Sequence, residues 1–217
     1  MKKRILLAIC LFAILCTATG KEPVRVACVG NSITYGYGLK NRSQESYPVV
    51  LGEMLGDGYE VRNFGISART LLNKGDHPYM QEALFAEARE FRPDIVIIKL
   101  GTNDTKPHNW VHGAEFAHDL AAMVDSFRTG GNPQIFLCYP AKVYNEQWSI
   151  NDSTLVHCII PLIKKVAHQK RTRLIDLHTP TDGMPENFPD RVHPNADGAR
   201  ILATEVYKAI TTTRKRR

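Results

Sequence analysis

Among residues able to do chemistry, the first to stand out is a serine in a tight turn bounded by glycines, Gly30-Asn31-Ser32-Ile33-Thr34-Tyr35-Gly36. A strand-to-helix turn of this kind exposes a hydroxyl and leaves backbone N–H groups beside it. Alone, it fits a phosphate-binding turn or a plain structural turn as well, although the P-loop pattern fails for want of its lysine. Three further segments narrow the choice: Asn63-Phe64-Gly65, Gly101-Thr102-Asn103-Asp104 and Asp190-Arg191-Val192-His193-Pro194. A serine hydroxyl is a poor nucleophile at neutral pH and needs a base within hydrogen-bond reach, for which His193 is the natural candidate. Asp190, three residues earlier, can accept from the imidazole and hold its tautomer, though Asp182 in the same loop competes for that part. Asn195 reads as an N-cap with Pro194 before it, and helix entry explains neither Asp190 nor His193.

These groups must be positioned by the elements around them. From Val24 the chain alternates short β-type runs with longer stretches of helical spacing, the βαβ rhythm. Strands are expected at Val24 to Val29, Tyr59 to Asn63, Asp94 to Leu100, Gln134 to Cys138 and Arg173 to Asp176. Ile95-Val96-Ile97-Ile98 is continuously apolar, as befits a central parallel strand covered on both faces. Helices are expected at Tyr47 to Leu55, Tyr79 to Phe91, Gly113 to Arg128, Asp152 to Gln169 and Asn195 to Thr211. In the last, Ala199, Leu202, Val206 and Ile210 make one apolar face. Right-handed crossovers then give a three-layer α/β/α sandwich with a five-stranded parallel sheet, and the serine turn and the Asn63 and Asn103 segments fall at strand ends, where such a sheet builds its site. Ala141 to Asn151 and Thr179 to Pro189 read as long loops near the same edge.

With these four blocks in order, the chain resembles the SGNH/GDSL hydrolase family, matching its Ser, Gly, Asn and His positions at Ser32, Gly65, Asn103 and Asp190-x-x-His193. The first block reads Gly-Asn-Ser where the family name suggests Gly-Asp-Ser. The resemblance implies a flavodoxin-like strand order and an oxyanion hole made by the Ser32 and Gly65 backbone N–H groups and the Asn103 side-chain amide. It also implies ester hydrolysis through an acyl-enzyme with no metal and no cofactor. The runs Val26 to Tyr37 and Asn63 to Lys74 look like the SGNH modules of bacterial sialate or polysaccharide O-acetylesterases, so the expected substrate is a small-molecule or glycan ester. A lysophospholipase or acyl thioesterase would use the same catalytic set, and a glycan-binding module could keep the fold without the activity. Gly65 and Asn103 also have bland readings, a turn needing positive φ and an Asx-turn.

The rest of the sequence bounds the class. Its 217 residues suit one domain, expected over 21–213. Lys2, Lys3 and Arg4, the apolar run Ile5 to Cys16 and the small residues to Gly20 have the layout of a signal peptide over 1–20, implying export. About 12 apolar residues reach only ~18 Å as a helix, too short for a ~30 Å hydrocarbon core. The net charge of +6 comes from three leader cations and the four of the basic tail 214–217, which leaves the body at −1 and gives no case for nucleic-acid binding. Beyond the leader, Cys28, Cys138 and Cys158 are an odd number, and Cys28 and Cys138 sit in strand-like runs as small hydrophobes. His77, His108, His112, His118, His157 and His168 lack ligand spacing, and His178 is expected to support the site rather than act in it. Trp110 and Trp148 suit either sugar stacking or loop anchoring.

Overall fold

The computed structural model describes residues 22–144 and 147–214. The expected leader over 1–20 and residues 215–217 of the expected tail lie outside them, whereas Arg214 ends the last helix. Five strands, β1 (Val24–Gly30), β2 (Tyr59–Gly65), β3 (Ile95–Lys99), β4 (Gln134–Tyr139) and β5 (Arg173–Asp176), form one sheet in the order β2-β1-β3-β4-β5. Every pairing is parallel. All five expected strands are present with small shifts at their ends. The shifts in β1 and β2 matter, because both run on to glycines that pair with each other, Gly30 beside Gly65.

The main helices are α1 (Ser32–Tyr35), α2 (Tyr47–Leu55), α3 (Ala83–Glu90), α4 (Phe116–Arg128), α5 (Ile160–Gln169) and α6 (Ala196–Arg214). Strand residues alternate between the two faces of the sheet, so two separate cores result. Val26, Cys28, Ile95, Ile97, Phe136 and Ile175 pack with Tyr47 and Leu51 of α2 and with Leu202 and Val206 of α6. Ala27, Val29, Val96, Ile98 and Leu137 pack with Phe85 of α3, Met123 of α4 and Ile163 of α5. The expected three-layer sandwich is therefore present, with β3 buried along its whole length.

Three expected helices are interrupted. The stretch 79–91 is a 3-10 turn over Tyr79–Gln81 followed by α3, because Glu82 is extended and its carboxylate is held by Arg69. The stretch 113–128 opens with a 3-10 turn in which Gly113 lies against the Trp110 ring, too close for a Cβ. Between 152 and 169 a short turn gives way to a π turn over Leu155–Ile159 before α5 begins. Pro161 explains the π turn, since it has no N–H for the carbonyl four residues back and its ring presses on that carbonyl. No helix among the described residues is long and apolar enough to cross a membrane.

Candidate active site

The site lies at the carboxyl ends of β1, β2 and β3. β1 delivers the chain directly into α1, where the Asn31 side chain caps the helix by accepting from the Ile33 N–H and Gly36 closes it at a φ of 91°. Ser32, at the first position of α1, is thereby fixed facing the loop that precedes α6. That loop is set by Asp190, whose Oδ1 accepts from the backbone N–H groups of Val192 at 3.0 Å and His193 at 2.7 Å. Asn195 caps α6 through the Gly198 N–H, as its position in the sequence leads one to expect.

The two turns bring together residues 161 positions apart. His193 Nε2 stands 2.7 Å from Ser32 Oγ, and His193 Nδ1 stands 2.8 Å from Asp190 Oδ2. With Nδ1 carrying its proton toward Asp190, Nε2 is the acceptor for the Ser32 hydroxyl. Asp182, the competing carboxylate, instead faces Lys142 at 3.6 Å. Burial lowers the His193 pKa below its ordinary value near 6.5; Asp190 pulls it back up in part, and the ammonium of Lys99 adds to the lowering. For Asp190, burial pushes upward, but the hydrogen bonds from the His193 backbone and ring and from Val192 outweigh it and hold the carboxyl low. At neutral pH this is a neutral imidazole between a hydroxyl and a carboxylate.

Gly65 ends β2 against α1. A Cβ there would lie 2.2 Å from the Tyr35 nitrogen, so close approach, rather than the positive φ considered from sequence, demands glycine. Its N–H donates to Asn63 Oδ1 at 2.9 Å, while Asn63 Nδ2 donates to the Thr34 carbonyl. Asn103 is buried after β3 and gives one of its two amide hydrogens to the Arg69 carbonyl at 3.0 Å. Its neighbour Asp104 accepts from the Leu71 and Leu72 N–H groups and so pins the loop after β2 to the loop after β3; burial raises its carboxyl to about 6 against those bonds.

Some residues near the site carry little sequence signal. The Tyr37 ring lies 4.6 Å from that of His193, and Trp148, one of the two tryptophans singled out above, lies 5.4 Å from it; they are 47% and 49% exposed. Trp110 packs on Phe116 instead. His178 pairs with Asp152 at 2.9 Å in a cluster with Lys142, outside the Ser32–His193–Asp190 chain. Lys99, at the end of an otherwise apolar strand, is wholly buried. Cys28, Cys138 and Cys158 are free thiols, the first two buried in the sheet.

Residues 28–201 match the GDSL-like lipase/acylhydrolase family. An acetylxylan esterase from Xylanibacter ruminicola is 43% identical over 213 residues, which cover 89% of this chain and 44% of that protein. A multidomain esterase from Ruminococcus flavefaciens is 30% identical over 115 residues, 51% of this chain and 14% of that one. The chain thus spans less than half the length of these curated relatives. Among solved structures, a carbohydrate acetylesterase from Sinorhizobium meliloti superposes with a TM-score of 0.73 at 21% identity, over 88% of this chain and 99% of that one. The aryl esterase of M. smegmatis gives 0.72 at 20%, over 87% and 99%.

Proposed function

The chain belongs to the GDSL-like lipase/acylhydrolase family, and from that premise we propose that it is a serine esterase removing O-acetyl groups from a carbohydrate through an acyl-enzyme. The observation that carries this reading is the hydrogen-bonded chain from Ser32 Oγ through His193 to Asp190. In the first half-reaction Ser32 Oγ bonds to the ester carbon as its proton passes to His193 Nε2. Collapse of the tetrahedral intermediate breaks the bond to the sugar oxygen, which takes that proton and leaves. Water then repeats the sequence on the acetyl-serine and releases acetate.

The negative charge that develops on the carbonyl oxygen needs preorganised donors. Ser32 N–H, Gly65 N–H and the Asn103 amide hydrogen not given to Arg69 are assigned to it. In the free protein the Gly65 N–H points to Asn63 Oδ1, so this donor must be shared with or released by Asn63 as the oxyanion forms. Tyr37 and Trp148, exposed on either contact of the His193 ring, offer the flat apolar faces on which a pyranose stacks. The acetylxylan esterase relative supports an acetylated polysaccharide as the alcohol half, and the leader-like layout of residues 1–20 supports export to where such polymers are found.

The test is hydrolysis of 4-nitrophenyl acetate against the octanoate ester, then release of acetate from acetylated xylo-oligosaccharides, with Ser32→Ala alongside. Preference for acetate, abolished by Ser32→Ala, supports the reading. A faster octanoate reaction transfers the site to lipid-type esters, and hydrolysis that survives Ser32→Ala removes the nucleophile.

A further inference from the structure

We propose that Lys99 is a positioning residue of this esterase site, its buried side-chain nitrogen tying the turn that carries Ser32 to the loop that carries Asn103. This rests on the esterase reading above but on separate observations. Lys99 ends β3 in register with Gly30, the last residue of β1. Its Nζ lies 3.3 Å from Asn31 Oδ1 and 3.5 Å from Thr102 Oγ1. Asn31 Oδ1 is the same atom that caps α1 beneath Ser32, and Thr102 immediately precedes Asn103. One amine thus reaches both halves of the site from underneath.

The arrangement is costly. Lys99 is completely inaccessible, and among the described residues no carboxylate pairs with it. Holding Asn31 Oδ1 toward Lys99 and the Ile33 N–H leaves Asn31 Nδ2 buried with no partner among the described residues. A methionine would fill this space without burying a charge. A local rule broken this way beside a nucleophile points to work done there rather than to stability.

The groups facing Lys99 leave its charge uncompensated. Cys28 and Tyr47 are pushed far above their usual ranges by burial and Cys138 to about 12, so all three stay neutral at physiological pH. Burial lowers Lys99 itself to about 7. The charge of Lys99 also reaches His193, whose imidazolium it disfavours. Lys99 therefore acts on the base as well as on the turn, keeping Nε2 free to accept a proton.

Two variants test this on 4-nitrophenyl acetate. Lys99→Met should lower kcat by about 10- to 100-fold, the scale of a misplaced reacting group, with KM changed less than about threefold. Its melting temperature at pH 6 should not fall below that of the parent protein, because an unpaired buried charge is gone. The acid limb of its rate profile should move to higher pH, since a charge that disfavours the His193 imidazolium has been removed. Asn31→Asp, which keeps the cap on Ile33 and gives Lys99 a counter-ion, should also move that limb upward. A Lys99→Met protein with parental kcat, one that melts well below the parent, or an unmoved acid limb in either variant overturns the proposal. Failure of the esterase reading looks different: hydrolysis persists in Ser32→Ala, while the melting comparison still reports on Lys99.

Discussion

Asp190 serves a structural turn and an acid–base pair at once. Asp190 makes three hydrogen bonds to its own turn and to the His193 ring, and it spends one carboxylate oxygen on each task. Asp190→Asn keeps the acceptor for the backbone but can turn an N–H toward Nδ1 and reverse the tautomer. The expected result is a fall in kcat of roughly 10³–10⁴, as for other aspartates that orient a catalytic histidine, with a normal melting curve. Asp182→Asn should leave kcat unchanged, because Asp182 faces Lys142; steady-state kinetics of the two variants decides between the carboxylates. The pH dependence follows from the same contacts. His193 must be neutral to accept from Ser32, so activity rises with pH through its pKa. Burial and the Lys99 charge, resisted by Asp190, place that pKa below the ordinary 6.5. The acid limb of kcat/KM should accordingly lie below pH 6.5, and a midpoint above 7 would remove His193 in this environment as the base.

At the scale of elements, the site depends on how closely strand ends meet α1. The end of β2 touches the α1 backbone at Gly65, where a methyl group would lie 2.6 Å from the Thr34 carbonyl carbon and nearer still to Tyr35. Backbone cannot step aside as a side chain can, so Gly65→Ala must push β2 from α1 and carry Asn63 with it. A loss of about 1–3 kcal/mol, the usual cost of overpacking, is expected in denaturant melts, with hydrolysis reduced even at temperatures where the variant is folded. Asn103→Ala should behave differently. Its side chain anchors the Arg69 carbonyl but is assigned mainly to the oxyanion, so kcat should drop by about 10²–10³ while the melt changes little. What the sequence discloses follows the same division. Strands, sandwich and the four blocks are legible because apolar runs, strand-end glycines and Asp-x-x-His are local patterns. Lys99 is not, since its partner Asn31 lies 68 residues away and nothing local in the expected strand Asp94 to Leu100 marks this lysine as buried. The Asn63 clamp on Thr34 and the approach of Tyr37 and Trp148 to His193 are equally long-range. The break before α5 falls inside the helix expected over Asp152 to Gln169, and only the fold shows that it takes the form of a π turn.

Over the whole molecule the parallel sheet gives its two ends different electrostatic characters. Helix starts and strand carboxyl ends meet at the site, whereas the C-termini of α3, α4 and α5 converge with the strand beginnings at the opposite end. A cavity of about 990 Å³ opens there, lined by Arg25, Arg89, Arg92, Arg128, Arg171 and Arg173 and well removed from Ser32. The concentration of arginine on a body of near-zero net charge has a direct physical use. The last carbonyls of each helix lack partners and carry partial negative charge, which a nearby cation stabilises by roughly 0.3–1 kcal/mol. Arg128 Nη2 donates to the Lys170 carbonyl just beyond α5 at 2.8 Å, and Arg89 Nε to the Ser126 carbonyl in the last turn of α4. Arg128 joins two helices in this way, since it ends α4 itself. Its Nε is buried with no partner among the described residues, which offsets part of the gain from the charged hydrogen bond. Arg128→Ala is therefore expected to cost about 1 kcal/mol, or roughly 2–4 °C in melting temperature for a chain of this size. The rate on 4-nitrophenyl acetate should not change at temperatures below the melt, because Ser32, His193 and Asp190 sit at the other end of the strands. Calorimetry and kinetics on the same preparation check both halves. An altered kcat in a fully folded Arg128→Ala protein would mean that the arginine end communicates with the site and is more than a cap for the helices.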